Sequence, residues 1–158
     1  MNQNRQFESW DYHVLEVKRV TKVIAGGKRF KIRAFVVIGN RSGLVGFGVG
    51  KGSDLSQAVE KAKRLGQKNA VKIEIVGGTI SRPVLAKVKA SQVLIKPAAA
   101  GRGLIAGGTM REILELAGVE NATAKIISSS KNHFTNALAT LAALAKLSRG
   151  AELNINVN

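Results

Sequence analysis

The residues best suited to chemistry in this chain are glycines and cations, not acids, thiols or imidazoles. Gly46, Gly48, Gly50 and Gly52 alternate along one stretch with Lys51 among them, directly before a segment of helical period. Alternate glycines leave one face of a strand bare, so another backbone can approach, and a helix N-terminus offers free N–H groups and a positive dipole end. Phosphate suits such a place. Arg41, Lys51 and the Lys61, Arg64 and Lys68 face of the next helix favour contact with an RNA backbone. The alternative is that the bare face only lets that helix lie tightly on the sheet. A second candidate runs from Arg19 to Arg29, where Arg19, Lys22, Lys28 and Arg29 surround a Gly26-Gly27 tip. This reads either as a basic finger entering an RNA groove or as a solvated hairpin.

The third candidate is the loop from Pro97 to Thr109, in which Arg102 sits between Gly101 and Gly103 and Gly107-Gly108 precede a helix. Its spacing loosely resembles the phosphate loop of the GHMP small-molecule kinases. Where those enzymes place hydroxyls this chain has Leu104 and Ile105, and no lysine stands ready for a metal-bound nucleotide. Kinase chemistry is therefore disfavoured, and Leu-Ile reads as packing against the first half or a neighbouring protein, with Arg102 free for phosphate. Acid–base catalysis fares no better. Glu112 reads as a capping residue, Glu115 as a solvated helix position, and His13 and His133 have no partner near them in sequence. With no cysteine and only 2 histidines, the chain offers no metal or thiolate centre. Phe7, Trp10 and Tyr12 are candidates to stack on bases. With 4% aromatic residues, however, backbone and shape reading of helical RNA is expected over a stacking platform.

The elements that must hold these residues follow from periodicity. From His13 to Val20 the strand period sets Leu15 and Val17 against Glu16 and Lys18. After Gly26-Gly27, read as a tight primed turn, a second strand sets Phe30, Ile32, Ala34, Val36 and Ile38 on one apolar face. A third puts Val45, Phe47 and Val49 opposite the glycines, giving a meander. A helix follows with Asp54 as N-cap, Gln57 in capping-box position and Leu55, Ala58, Val59, Ala62 and Leu65 as its stripe. Val71, Ile73 and Ile75 suggest a short fourth strand. A domain boundary is expected between Gly77-Gly78 and Pro83.

In the second half, Val84–Ala90 and Gln92–Lys96 read as strands. Thr109 with Glu112 forms another capping box, opening a helix that stops at Gly118. Ala122–Ser128 is a strand candidate, and Asn132–Leu147 a striped helix ending at Gly150. The expected class is α+β, two small sheets each covered by helices.

Composition agrees with a globular polyanion binder. The 158 residues suffice for one medium domain or two small ones, and 45% hydrophobic content can close a core. Lys plus Arg number 25 against 10 Asp plus Glu, a net charge of +15. Such a field calls for nucleic acid. Between Glu16 and Asp54 there is no acid but nine bases, and between Glu74 and Glu112 no acid but six. Both windows interleave charge with Val, Ile, Leu and Phe, so the charge is expected on folded surfaces. No run reaches the ~18 apolar residues of a membrane span, and no helix pairs strong basic and bulky apolar faces for a membrane surface. The N-terminal segment lacks an export-signal pattern. No cofactor, metal or membrane partner is expected.

Lys18-Arg19-Val20-Thr21-Lys22 with Gly26-Gly27, Phe30 to Gly39 and Gly43-Leu44-Val45-Gly46-Phe47-Gly48-Val49-Gly50-Lys51-Gly52 strongly resemble the family of the fifth protein of the bacterial small ribosomal subunit. So do Lys96-Pro97-Ala98, Gly101 to Gly103, Ile105-Ala106-Gly107-Gly108, Arg111 and Glu115-Leu116-Ala117-Gly118-Val119. The resemblance implies an N-terminal domain over 12–76, similar to double-stranded-RNA-binding folds. It implies a C-terminal domain over 79–148 of the fold shared with GHMP kinases, with tails at 1–11 and 149–158. It further implies a non-enzymatic, cytoplasmic constituent of the small subunit that is not a homo-oligomer. That protein binds small-subunit ribosomal RNA near the decoding region and mRNA entrance, touches the fourth and eighth small-subunit proteins, has mRNA within reach, and supports assembly and translational accuracy. On these grounds Arg19, Thr21, Lys22, Gly26, Gly27 and Lys28 match the family's RNA-reaching hairpin loop. Arg41, Phe47, Gly48, Lys51 and Gly52 match its RNA-facing sheet edge, and Gly107, Gly108 and Arg111 the contact with the fourth protein. Rival readings are a free regulator of duplex RNA and a small-molecule kinase.

Overall fold

The computed structural model describes residues 10–148. Phe7, Gly150, residues 1–9 of the expected N-terminal tail and all of the expected tail at 149–158 lie outside the described residues.

The first sheet is built from β1 (Asp11–Ile24), β2 (Gly27–Gly39), β3 (Leu44–Gly52) and the two-residue β4 (Val71–Lys72), in the order β1-β2-β3-β4 and antiparallel throughout. A bulge between Val14 and Glu16 shifts the β1–β2 register. β1 runs four residues beyond Val20, because a hairpin arm exposed on both faces needs no apolar alternation to persist as a strand. Its turn residues are Ala25 and Gly26, one position earlier than expected. The positive φ falls on Gly27, at 144°, as β2 opens.

The expectation of one apolar face on β2 is corrected to two. Ala34, Val36 and Ile38 pack with Ala58 and Ala62 of α1 (Leu55–Lys68), whereas Phe35 and Val37 join Val45, Phe47 and the core of the second half. A run such as Ala34-Phe35-Val36-Val37-Ile38 is what a strand covered on both sides requires.

α1 explains the glycine ladder. A Cβ at Gly46, Gly48 or Gly50 would overlap the backbone carbonyl oxygens of Gly66, Ala62 and Ala58 in turn. The buried stripe of α1 is therefore Ala58, Ala62 and Gly66, while Leu55 and Leu65 of the expected stripe remain 44% and 43% exposed. Only a small-residue helix face fits a glycine strand this closely. Asp54 holds the N-cap position, but its side chain makes no capping bond, and the Ser53 hydroxyl donates to Gln57 Oε1 at 3.0 Å instead.

Past α1 the expected strand at 71–75 divides. Val71–Lys72 completes the first sheet, and β5 (Ile75–Val76) pairs with β6 (Thr79–Ile80) across Gly77 and Gly78, whose φ of 58° and 74° suit glycine. The Gly78 carbonyl accepts from the N–H groups of Glu120 and Asn121, tying this connector to the second half.

There, β7 (Val84–Val88), β8 (Ser91–Pro97), β9 (Leu104–Ile105) and β10 (Ala122–Ile126) form a mixed sheet of order β7-β8-β10-β9, covered on one face by α2 (Gly108–Ala117) and α3 (His133–Ala145). The second capping box is not formed. Gly107 is the N-cap of α2, and Thr109, inside the first turn, bonds through Oγ1 to His133 Nδ1 at 2.9 Å. Gly118 ends α2 in the left-handed region at φ 89°, and a side chain there would overlap the Arg41 carbonyl. Asn132 caps α3 by accepting from the Phe134 N–H at 3.0 Å.

The two halves share one core. Phe35, Phe47 and Phe134 form an aromatic cluster with centroids 5.1 to 6.4 Å apart. The Arg41 and Gly43 N–H groups donate to the Leu116 and Ala117 carbonyls at 2.9 Å each.

Candidate nucleic-acid interface

The β1–β2 hairpin reaches past the rest of its sheet. β3 ends opposite Ile32, so five residues of β2, Gly27 to Lys31, extend beyond it, roughly 17 Å at strand rise. Every residue from Thr21 to Lys31 is exposed. This overhang holds Thr21, Lys22, Gly26, Gly27, Lys28 and Arg29 together, with Arg19 at its base, so all the residues assigned to the finger are neighbours.

Its electrostatics point to an anion. Lys22 stands directly across from Arg29, and Val23 from Lys28. Like charges placed opposite each other on a ladder are destabilising by some tenths of a kcal/mol in the free protein. Glu16 is the nearest acid on the arm, and it is paired with Lys18 at 2.9 Å. Arg19 is held differently, with its guanidinium carbon 3.8 Å from the Phe30 ring centroid.

A second cationic group lies on α1. Lys61 Nζ donates to the Lys51 carbonyl at 3.4 Å, bringing these two expected residues together, and Arg64 and Lys68 are exposed further along the helix. Lys63, which the sequence reading did not single out, sits 3.2 Å from the Tyr12 ring centroid.

Other assignments separate. Phe47 is 8% exposed within the aromatic cluster, and Gly48 and Gly52 are buried beneath α1. The expectation of an RNA-facing edge is corrected at these three positions, because their surfaces are already occupied by protein. Arg41 lies at the opposite end of the sheet from the finger, at φ 53°, with its Nε 2.8 Å from Asp11. Arg102 is exposed in the turn before β9, Gly107 and Gly108 are exposed at the start of α2, and Arg111 donates from Nη2 to the Leu104 carbonyl at 2.7 Å. Leu104 and Ile105 form β9 rather than an open loop, pairing with Ala122 and Thr123 of β10.

Sequence reasoning missed the groove at the finger's base, lined by Val17, Arg19, Phe30, Lys31, Ile32 and Ser53. A phenylalanine between Arg29 and Lys31 was the available signal. Among the described residues, no cluster of three or more His, Cys, Asp or Glu could hold a metal ion, and no helix is long and apolar enough to cross a membrane.

The family model for the ribosomal protein S5 N-terminal domain matches residues 10–74, and that for the S5 C-terminal domain matches residues 86–155. The chain belongs to the ribosomal protein S5 family. It is similar to small ribosomal subunit protein uS5 of Acaryochloris marina, with 44% identity over 96% of this chain and 86% of that one. Protein uS5 of Thermotoga maritima is 40% identical, over 90% of this chain and 79% of its own. Protein uS5c of Cyanidium caldarium is 42% identical, over 96% and 90%. The S5 family is one of ribosomal constituents, which disposes of the kinase reading of the second half. The α+β class with two matched S5 regions agrees with the sequence reading.

Proposed function

We propose that this protein is a structural, non-enzymatic constituent of the small ribosomal subunit that binds small-subunit ribosomal RNA and holds it beside other ribosomal proteins. The observation that carries the reading is the overhanging finger, whose Lys22, Lys28 and Arg29 stand in solvent with like charges facing each other. Phosphates relieve that repulsion, and a rigid arm fixes where they must lie. Membership of the S5 family supports the same partner.

In finer detail, the segment 12–76 is the RNA-binding half and 79–148 the half that meets neighbouring proteins. Arg19, Thr21, Lys22, Gly26, Gly27, Lys28 and Arg29 contact ribosomal RNA near the decoding region and mRNA entrance. Lys51, Lys61, Arg64 and Lys68 meet a second stretch of backbone, and Arg102 a third. Gly107, Gly108 and Arg111 adjoin the fourth small-subunit protein, the eighth lies against the same half, and the assembly supports translational accuracy. The exposure of these cations and the surface position of Gly107 and Gly108 favour this arrangement.

Sedimentation of the tagged chain with small subunits through a sucrose gradient tests the reading directly. Binding to isolated small-subunit RNA is expected to weaken by ~10³-fold between about 50 and 200 mM salt if roughly six phosphates are neutralised. A salt-independent affinity contradicts it. Arg111→Ala is expected to alter miscoding in a reporter while the protein stays folded and assembled. Unchanged miscoding with normal assembly removes that role from Arg111.

A further inference from the structure

The groove at the base of the finger holds a half-exposed aromatic ring, Phe30, in cationic surroundings. α1 covers one face of the first sheet over Ala34, Val36 and Ile38, but the helix begins at Leu55 and β3 ends opposite Ile32. Beyond Ile32, which packs against the edge of that cluster, the face is bare. Strand alternation puts Val17, Arg19 and Thr21 of β1 and Phe30 and Ile32 of β2 on it, whereas the Glu16–Lys18 pair lies on the other side.

With Lys31 and Ser53 at its margin, the groove encloses about 560 Å³, within the ~300–1,000 Å³ range of sites that hold small organic molecules. Phe30 is 49% exposed and Val17 47%. The Arg19 guanidinium already rests on the ring, and a guanidinium and a phenyl ring are both flat, apolar-faced surfaces on which a base stacks. No acid occurs between Glu16 and Asp54, Glu16 is paired with Lys18 on the other side of the sheet, and Arg19 lines the groove, so the surroundings favour an anionic occupant. A base within a duplex has both faces covered and cannot enter such a groove.

We infer that this groove receives one unpaired nucleobase of the bound RNA, stacked on the Arg19–Phe30 pair, with its flanking phosphates toward Ser53 and toward Lys28, which alternation sets on the Phe30 face. The inference rests on the RNA-binding reading and sharpens it. The arm holds phosphates along its length, and its base distinguishes RNA with an extruded nucleotide from continuous duplex.

The test uses the full chain and two short RNA hairpins, one carrying a single bulged fluorescent purine analogue and one fully paired. The wild type is expected to bind the bulged hairpin about tenfold more tightly and to quench its fluorescence, the scale of one base–aromatic stack. Phe30→Leu should abolish both the preference and the quenching while leaving affinity for the paired hairpin within about twofold. Phe30→Tyr should retain both, and Arg19→Lys, which keeps the charge without the flat surface, should fall between. Equal, salt-dependent binding of the two hairpins by the wild type overturns the stacking site and leaves the RNA-binding reading intact. Failure to bind either hairpin or small-subunit RNA overturns both. A preference that survives in Phe30→Leu moves the discrimination elsewhere and also overturns the site.

Discussion

The finger and the β3–α1 seam are both rich in glycine and adjoin lysine, yet they have opposite fates. In the seam, glycine removes side chains so that two backbones meet, and the space is filled by Ala58, Ala62 and Gly66 of the protein itself. At the tip, Gly26 and Gly27 have nothing within 4 Å of where a Cβ would stand, and what surrounds them is charge. Glycine spacing alone does not distinguish a surface offered to a ligand from one offered to the chain. The neighbours do. The seam faces a helix of small residues, whereas the finger faces solvent with unbalanced cations.

Substitutions can break that contrast, starting with the seam. Gly48→Ala forces a methyl group into the Ala62 carbonyl and is expected to cost ~3 kcal/mol or more, lowering Tm by roughly 10 °C in a thermal melt. RNA affinity measured where the variant is still folded should be unchanged. If Tm holds and RNA binding falls, the seam is a ligand surface after all. The combined Lys22→Ala, Lys28→Ala and Arg29→Ala variant should reverse this pattern. The slope of log affinity against log salt should shrink by about two to three, while Tm stays level or rises as the opposed Lys22 and Arg29 are relieved. Gly27→Ala should lower Tm by several degrees, a backbone cost of about 1 kcal/mol, since its φ of 144° is strained for a side chain. Gly26→Ala, without a neighbour or a positive φ, should leave Tm within error.

Much of the architecture was legible because it is written in periods of two and of three to four residues. The meander, the helix at 55–68, the stop at Gly118 and the final helix all follow from alternation, stripes and glycine. The capping boxes were not legible, because a capping residue chooses among partners that sequence does not display. Thr109 bonds to His133, 24 positions away. The double coverage of β2 was present in the unbroken run Ala34 to Ile38, but which half of the chain would cover Phe35 and Val37 depends on tertiary packing. Of the interface, the cations of the finger were readable as charge, and their convergence as a hairpin. Phe30 was read as one more apolar position on the β2 face, since nothing local reveals that α1 stops short of it.

β2 joins the two regions physically. Its 13 residues span about 43 Å from Gly27 at the tip to Gly39, which lies against the Leu116 backbone of α2. Both of its faces are clamped over its inner half, and β1 pairs with it from Gly27 to Gly39, so the finger and the second half are joined by one continuous ladder. The molecule therefore acts as a measuring rod, so whatever the tip grips is kept at a set distance from whatever docks near α2. Two partners bound at its ends cannot shift independently, and one seated out of place shows itself at the other.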